Sequence, residues 1–187
     1  MGSMFLQEAE ATVVMFDLRG FATLAARLGP VDLGASLSRF YEHAEACIVA
    51  NEGRIIRFMG DWVLAAWLAS EVGDHRKKSL AAVAESRRRR APWVQKGVDG
   101  GHPLLDYSVA AATGPVLVGQ IGTERLKFFD VLGEPASIVR KLTVVCTLRN
   151  VEHLVTSETL DFADKPAAVE VEGVELGGKM LRLFRLE

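Results

Sequence analysis

Two aspartates stand where hydrophobic segments give way to turns. Asp17 ends the run TVVMFDL and is followed at once by the glycine loop LRGF; Asp61 sits between RIIRFM and WVLAAW in the turn Met59-Gly60-Asp61. A buried strand that delivers a carboxylate at its end needs a reason, because a charge beside a core is costly unless something compensates it. If the hairpin strands around Asp61 lie beside the strand ending at Asp17, the two carboxylates are neighbours. Neighbouring carboxylates do not both stay ionised cheaply without a cation, and hard oxygen ligands suit Mg²⁺ or Mn²⁺. Gly20 lets backbone N–H groups approach an anion just ahead of a helix N-terminus. Carboxylates for metal beside a phosphate-receptive loop are the layout of a nucleoside triphosphate site. Spacing alone leaves a second reading open, two unrelated turn aspartates, since Asp is common in turns.

The elements that must position these residues follow from periodicity. Thr12–Leu18 reads as a buried strand, and Phe21–Leu28 begins a short helix that Gly29-Pro30 breaks. From Val31 to Ala50, Leu33, Leu37, Phe40, Tyr41, Ala44, Cys47 and Ile48 recur at three- and four-residue steps, one face of an amphipathic helix. RIIRF and WVLAAW form a tight hairpin. A helix of about five turns ends at ESRRRRAP, LLDYSVAAATG and PVLVGQIG form a strand pair, LKFFDVLG is a strand, and EPASIVRKLTVVCTL is a helix. EHLVTS is a strand, Ser157 caps a short helix, and AAVEVEGVEL with KMLRLFRLE closes the chain as a strand pair. The order predicts an α+β fold of ferredoxin-like type (βαββαβ), helices packed on a mostly antiparallel sheet.

The 187 residues suit one domain, with 49% apolar and 25% charged residues, a globular balance. The opening MGSM has the look of an added leader, so residues 1–10 are set apart and 11–187 read as the domain, leaving room for a further natural domain ahead of it. A formal charge of -2 gives no electrostatic case for nucleic acid or an anionic membrane as partner. No apolar run is long enough to span a bilayer, and no secretory signal opens the chain. Cys47 and Cys146 read as buried thiols in a cytoplasmic protein. His43, His75, His102 and His153 show no ligand spacing. Arg87–Arg90 read as a solvated helix end, with a partner or regulatory surface as the alternative. Trp62 and Trp67 read as core or dimer interface.

VVMFDLRGFATLAARLGP followed by FYEHAEACIVANEGRIIRFMGDWVLAAW resembles the catalytic domain of class III nucleotidyl cyclases: a strand ending in aspartate, a glycine-phenylalanine loop, a long helix, and a hairpin with phenylalanine-x-glycine-aspartate. AAATGPVLVGQIGTERLKFFDVLGEPASIVRKL is similar to the second half of that pattern, and VELGGKMLRLFRLE to its last strand pair. The GG[DE]EF signature of the related diguanylate cyclases is absent. The resemblance implies that Asp17, Asp61 and the Leu18 carbonyl hold two Mg²⁺ or Mn²⁺ ions. It implies that Gly20, Phe21 and Ala22 bind phosphates through their backbone, with Arg125 and Lys179 on the triphosphate. It places Arg57 and Asp130 at the base. The reaction implied is attack of the ribose 3′-hydroxyl on the α-phosphorus, giving a 3′,5′-cyclic nucleotide and pyrophosphate. The partners implied are a nucleoside triphosphate and a second copy of the chain, in a homodimer with composite sites.

Arg57 as donor and Asp130 as acceptor fit the adenine edge, and also cytosine, so ATP is the first substrate and a pyrimidine triphosphate the alternative. The family's helix carries an asparagine and an arginine where this chain has Ser137 and Lys141. Serine is shorter, and lysine keeps the charge without the bidentate fork. Arg140, one place early, points about 100° away on a helix. These departures keep a further alternative in view, a degenerate cyclase-homology domain that binds nucleotide or dimerises.

Overall fold

The computed structural model describes residues 6–99 and 106–187. MGSM, Leu104, Leu105 and His102 lie outside the described residues. Thirteen residues, Leu6–Leu18, form β1, and the short helix α1 (Phe21–Ala25) and the long helix α2 (Pro30–Val49) follow. The hairpin of β2 (Arg54–Met59) and β3 (Trp62–Leu68) leads into α3 (His75–Asp99). Then come β4 (Tyr107–Gly122), β5 (Lys127–Leu132), α4 (Glu134–Leu148), β6 (His153–Thr156), a 3-10 turn at Ser157–Leu160, β7 (Ala168–Leu176) and β8 (Lys179–Leu186).

The strands make one eight-stranded sheet in the order β2-β3-β1-β4-β6-β8-β7, with β5 also on β4. Among the pairings only β4–β6 is parallel. Alternation along β1 divides it between two cores. Val14, Phe16 and Leu18 face a cluster with Phe40, Cys47 and Ile48 of α2 and Leu80 and Val83 of α3. Val13 and Met15 face the opposite cluster with Val139, Leu142 and Cys146 of α4. The α+β class and the mostly antiparallel sheet agree with the sequence reading, and helices cover both faces.

Four local expectations change. β1 begins at Leu6, and residues 6–10 pair with β4 from Gly119 to Pro115, so half of the segment set apart as a leader is part of the sheet. β4 is one continuous strand through Gly114-Pro115, because β1 pairs with it on both sides of that dipeptide; the expected strand pair does not form. Helix α3 continues through Pro92 to Asp99, where the sequence signal predicted its end at Ala91-Pro92; a proline tolerates this when the rest of the turn is held. At the 3-10 turn the cap position is Thr156, and the Ser157 hydroxyl donates to Glu158 (3.1 Å).

The α2–β2 turn is shaped by one close approach. A Cβ at Gly53 would meet the Trp67 ring at 2.4 Å, so only glycine lets the chain pass the buried indole. The Trp67 N–H in turn donates to the Asn51 carbonyl (2.7 Å). Trp67 is therefore core, and both free cysteines are buried.

Candidate active site

Asp17 pairs with Trp62 in the β1–β3 ladder, one residue past Asp61, and the Leu18 N–H donates to the Asp61 carbonyl (2.8 Å). That backbone bond locks the end of β1 to the β2–β3 turn and brings the two carboxylates into electrostatic contact. Gly60 supplies the left-handed turn residue at φ 57°. Asp17 is half-buried, and its pKa is pushed up to about 6, first by burial and further by the Asp61 charge. Arg140 and Arg19 pull it back in part, as does the Thr143 hydroxyl. That hydroxyl also donates to the Arg140 carbonyl (3.1 Å), and one proton does not serve both acceptors at once. The Asp17 carboxyl is thus held at the end of β1 with much of its hydration lost, beside a second carboxylate.

This is the donor set a divalent cation fits: two carboxylates at one corner, one of them destabilised by the other. No group of three or more His, Cys, Asp or Glu side chains able to hold a metal occurs among the described residues. Two carboxylates leave most of the coordination shell to backbone, water and substrate oxygens, as Mg²⁺ sites do.

After Asp17 the chain turns sharply. Gly20 has φ 67°, with nothing within 4 Å of the place a Cβ would occupy. It is the N-cap of α1, whose first-turn N–H groups, Phe21 and Ala22 among them, have no intrahelical acceptor. Arg19, which sequence reasoning passed over, anchors this turn. Its backbone N–H donates to the Asp106 carbonyl (2.8 Å), and its side chain donates to Ser108 Oγ (2.8 Å), to Asp106 and to the Val151 carbonyl. A lone arginine between Asp17 and Gly20 was the available signal, but only the fold shows that it points inward.

Arg57 and Asp130 meet directly, Nη2 to Oδ2 at 2.6 Å. A β-bulge makes this possible. Ile55 is opposite Ala65, and Arg57 is already opposite Leu64, so Ile56 is an extra residue. In an unbulged strand Arg57 would share the face of Ile55; here it is opposite Leu64, which lies on the α4 face, and it reaches β5. Its guanidinium also stacks over Phe128, 4.6 Å from the ring centroid, as Arg54 does over Phe129 at 4.5 Å. Asp130 Oδ1 accepts from the Val131 N–H (3.0 Å).

The charges that shift Asp17 most are Asp61, Arg140 and Arg19, and neither Arg57 nor Asp130 is among them. Ser137 and Lys141 are exposed on α4, and Arg125 and Lys179 are exposed at the β4–β5 and β7–β8 tips. None of these four is among the groups that shift Asp17 most.

No protein-family profile matches the chain. Among solved structures, the adenylyl cyclase CyaB of P. aeruginosa superposes with a TM-score of 0.86 at 20% identity, over 97% of this chain and 95% of that one. This is the class III nucleotidyl cyclase catalytic fold. The guanylyl cyclase Cya2 superposes with a TM-score of 0.78 at 21% identity, over 96% of this chain and 92% of that one. By sequence, adenylate cyclase 1 of Rhizobium meliloti is 26% identical over 137 residues, and an adenylate cyclase of Mycobacterium bovis is 28% identical over 134. Each alignment covers 71% of this chain but only 20% and 29% of those proteins, so this chain spans less than a third of either relative. No helix among the described residues is long and apolar enough to cross a membrane.

Proposed function

We propose that this domain is a nucleotidyl cyclase that forms a 3′,5′-cyclic nucleotide and pyrophosphate from a nucleoside triphosphate, with ATP as the favoured substrate. The observation that carries the reading is the Asp17–Asp61 corner, a half-buried carboxylate held beside a second one at a glycine turn. The relatives named adenylate cyclase support ATP. Two Mg²⁺ or Mn²⁺ ions held by Asp17, Asp61 and the Leu18 carbonyl would supply Lewis acidity and neutralise phosphate charge.

The chain's own groups do the rest. Backbone N–H groups of Gly20, Phe21 and Ala22 take phosphate oxygens, and Arg125 and Lys179 hold the triphosphate. Arg57 and Asp130 read the base. Ser137 orients the ribose, and Lys141 stabilises charge on the α-phosphate as the 3′-hydroxyl attacks. These groups converge only across a homodimer. Ser137, Lys141, Val144 and Leu148 follow one another at helical spacing along one exposed stripe of α4, and Leu148 is 80% and Val144 54% exposed. An apolar stripe in line with two reactive positions supports an interface that carries a composite site.

A pyrimidine triphosphate is the second reading, favoured by the bulk of Arg57 lying flat between Phe128 and Asp130. Incubation with Mn²⁺ and each of ATP, GTP, CTP and UTP, followed by mass spectrometry, decides between them. Cyclic AMP as main product is expected. Cyclic CMP or UMP as main product replaces ATP by the second reading, and no product from any of the four leaves only a nucleotide-binding or dimerisation module. Asp17→Ala is expected to lower the rate at least about a thousandfold; unchanged turnover in that variant refutes the metal assignment.

A further inference from the structure

The run Arg87–Arg90 divides its charges unequally. Arg88 and Arg89 both pair with Glu85 on the helix surface. Arg90 turns to Asp106, Glu152 and the Tyr107 carbonyl. Arg87 has no ion pair among the described residues, and its Nε–H is buried without a hydrogen-bond partner. Arg87 lies on the wall of a cavity of about 460 Å³ formed with His153 of β6 and Arg185 of β8. That volume is in the range of small-molecule sites.

His153 determines what the buried wall offers. It is 3% exposed, and its Nε2 accepts the Leu186 N–H at 2.9 Å. Burial, then Arg87 and Arg185, push its pKa down to about 4, so near neutral pH the ring is uncharged and carries its one proton on Nδ1. Nδ1 is itself buried without a partner. Two buried N–H donors with no acceptor therefore belong to residues of the cavity wall, and Arg185 adds a guanidinium that has no ion pair among the described residues. Buried donors left unpaired are costly, and native structures satisfy nearly all of them. The carboxylates on the same lining are Glu152 and Glu187; Glu152 is engaged by Arg90 Nε at 3.5 Å and half exposed, and Glu187 is exposed.

We propose that this cavity binds a small oxyanion, a carboxylate or phosphate group, between the His153 Nδ1–H, the Arg87 Nε–H and the Arg185 guanidinium. The site is separate from the cyclase centre. Alternation along β6 puts His153 on the same side as Val155, the α2/α3 face, and Asp17 lies beside Thr143 of α4 on the other.

Isothermal titration of the whole chain at pH 7.5 and low chloride tests this with two probes, inorganic phosphate and citrate. Saturable binding of at least one is expected; phosphate alone points to a phosphorylated metabolite, and citrate alone to an organic acid. Arg185→Gln and Arg87→Gln are expected to weaken that binding at least about tenfold each. Arg88→Gln removes the same charge one residue away and is expected to leave binding unchanged. Asp17→Ala is also expected to leave it unchanged, which separates this site from the fate of the cyclase reading. Binding of neither probe, with ordered water alone satisfying His153 Nδ1, overturns the proposal, as does equal weakening by Arg88→Gln or no weakening by Arg185→Gln and Arg87→Gln.

Discussion

Two of the acidic site positions, Asp17 and Asp130, sit in opposite electrostatic situations. Asp17 is half-buried beside a second carboxylate, and burial first, then the Asp61 charge, push its pKa up to about 6. Asp130 is already closed onto Arg57 at 2.6 Å, and the arginine is stacked on Phe128 as well. One corner holds a half-buried carboxylate beside a second one, and in the proposed function a cation offsets both. The other is complete in itself, and a base that uses Arg57 or Asp130 has to compete with their mutual bond. In the proposed cyclase, ion binding is therefore the strong term and base reading the finely balanced one.

Breaking the closed pair has the larger expected effect. Asp130→Ala leaves Arg57 with its stacking but no counter-charge. It is expected to raise KM about tenfold or more and flatten discrimination between bases, with a stability loss of about 1–2 kcal/mol for a pair that keeps some solvent contact. Competing ATP and CTP turnover in one assay measures the first, and urea unfolding the second. Full discrimination in Asp130→Ala would detach the pair from the base.

Next comes the weakened half of the α4 stripe. Ser137→Asn combined with Lys141→Arg is expected to raise kcat about tenfold, by lengthening the ribose contact and restoring a bidentate fork. A steady-state comparison with the parent chain checks this, and an unchanged kcat would place the rate limit away from those positions.

The smallest effect tests the open corner without any turnover. The Asp17 carboxyl titrates at about 6 in the fold against 3.8 unfolded. Its ionisation therefore opposes folding: the penalty is absent below about pH 4, grows as pH rises to about 6, and is complete above. Asp17→Asn removes it. In metal-free buffer the variant is expected to melt about 2–4 °C above the parent at pH 7.5, a gain of about 1 kcal/mol after solvent screening, with the gap closing by pH 4. Mn²⁺ is expected to raise the melting temperature of the parent and not of Asp17→Asn. The parent's own profile also contains His43 and His153, whose pKa values are pushed down to about 4 mainly by burial. Their contribution is complete above about pH 6.5 and is lost as pH falls towards 4, so only the difference between variant and parent isolates Asp17.

Much of this molecule is legible along the chain. Helix α4 at Glu134–Leu148 coincides with the predicted EPASIVRKLTVVCTL, because apolar residues at helical spacing between Gly133 and Asn150 leave few other solutions. The β2–β3 hairpin and its Gly60-Asp61 turn were equally plain. The errors share a cause. Gly114-Pro115 carries every local mark of a turn, yet β4 runs through it because β1 pairs along its whole length. Pro92 marks a helix end, yet α3 continues. In both places tertiary contacts outweigh local preference.

The sequence by itself determined which residues can do chemistry and the elements that carry them: carboxylates at strand ends, a glycine turn, and a donor and an acceptor on separate strands. Residue type and periodicity are local properties, and the chain displays them directly. Only the tertiary structure decided which of those groups meet. The one-residue bulge at Ile56 sets Arg57 opposite Leu64, from where it reaches Asp130, and a single backbone bond from Leu18 to Asp61 brings the carboxylates to one corner. Packing also left Arg87 and His153 as buried donors without acceptors. Each outcome depends on strand register and on burial from both faces of the sheet, and these exist only once distant segments have come together.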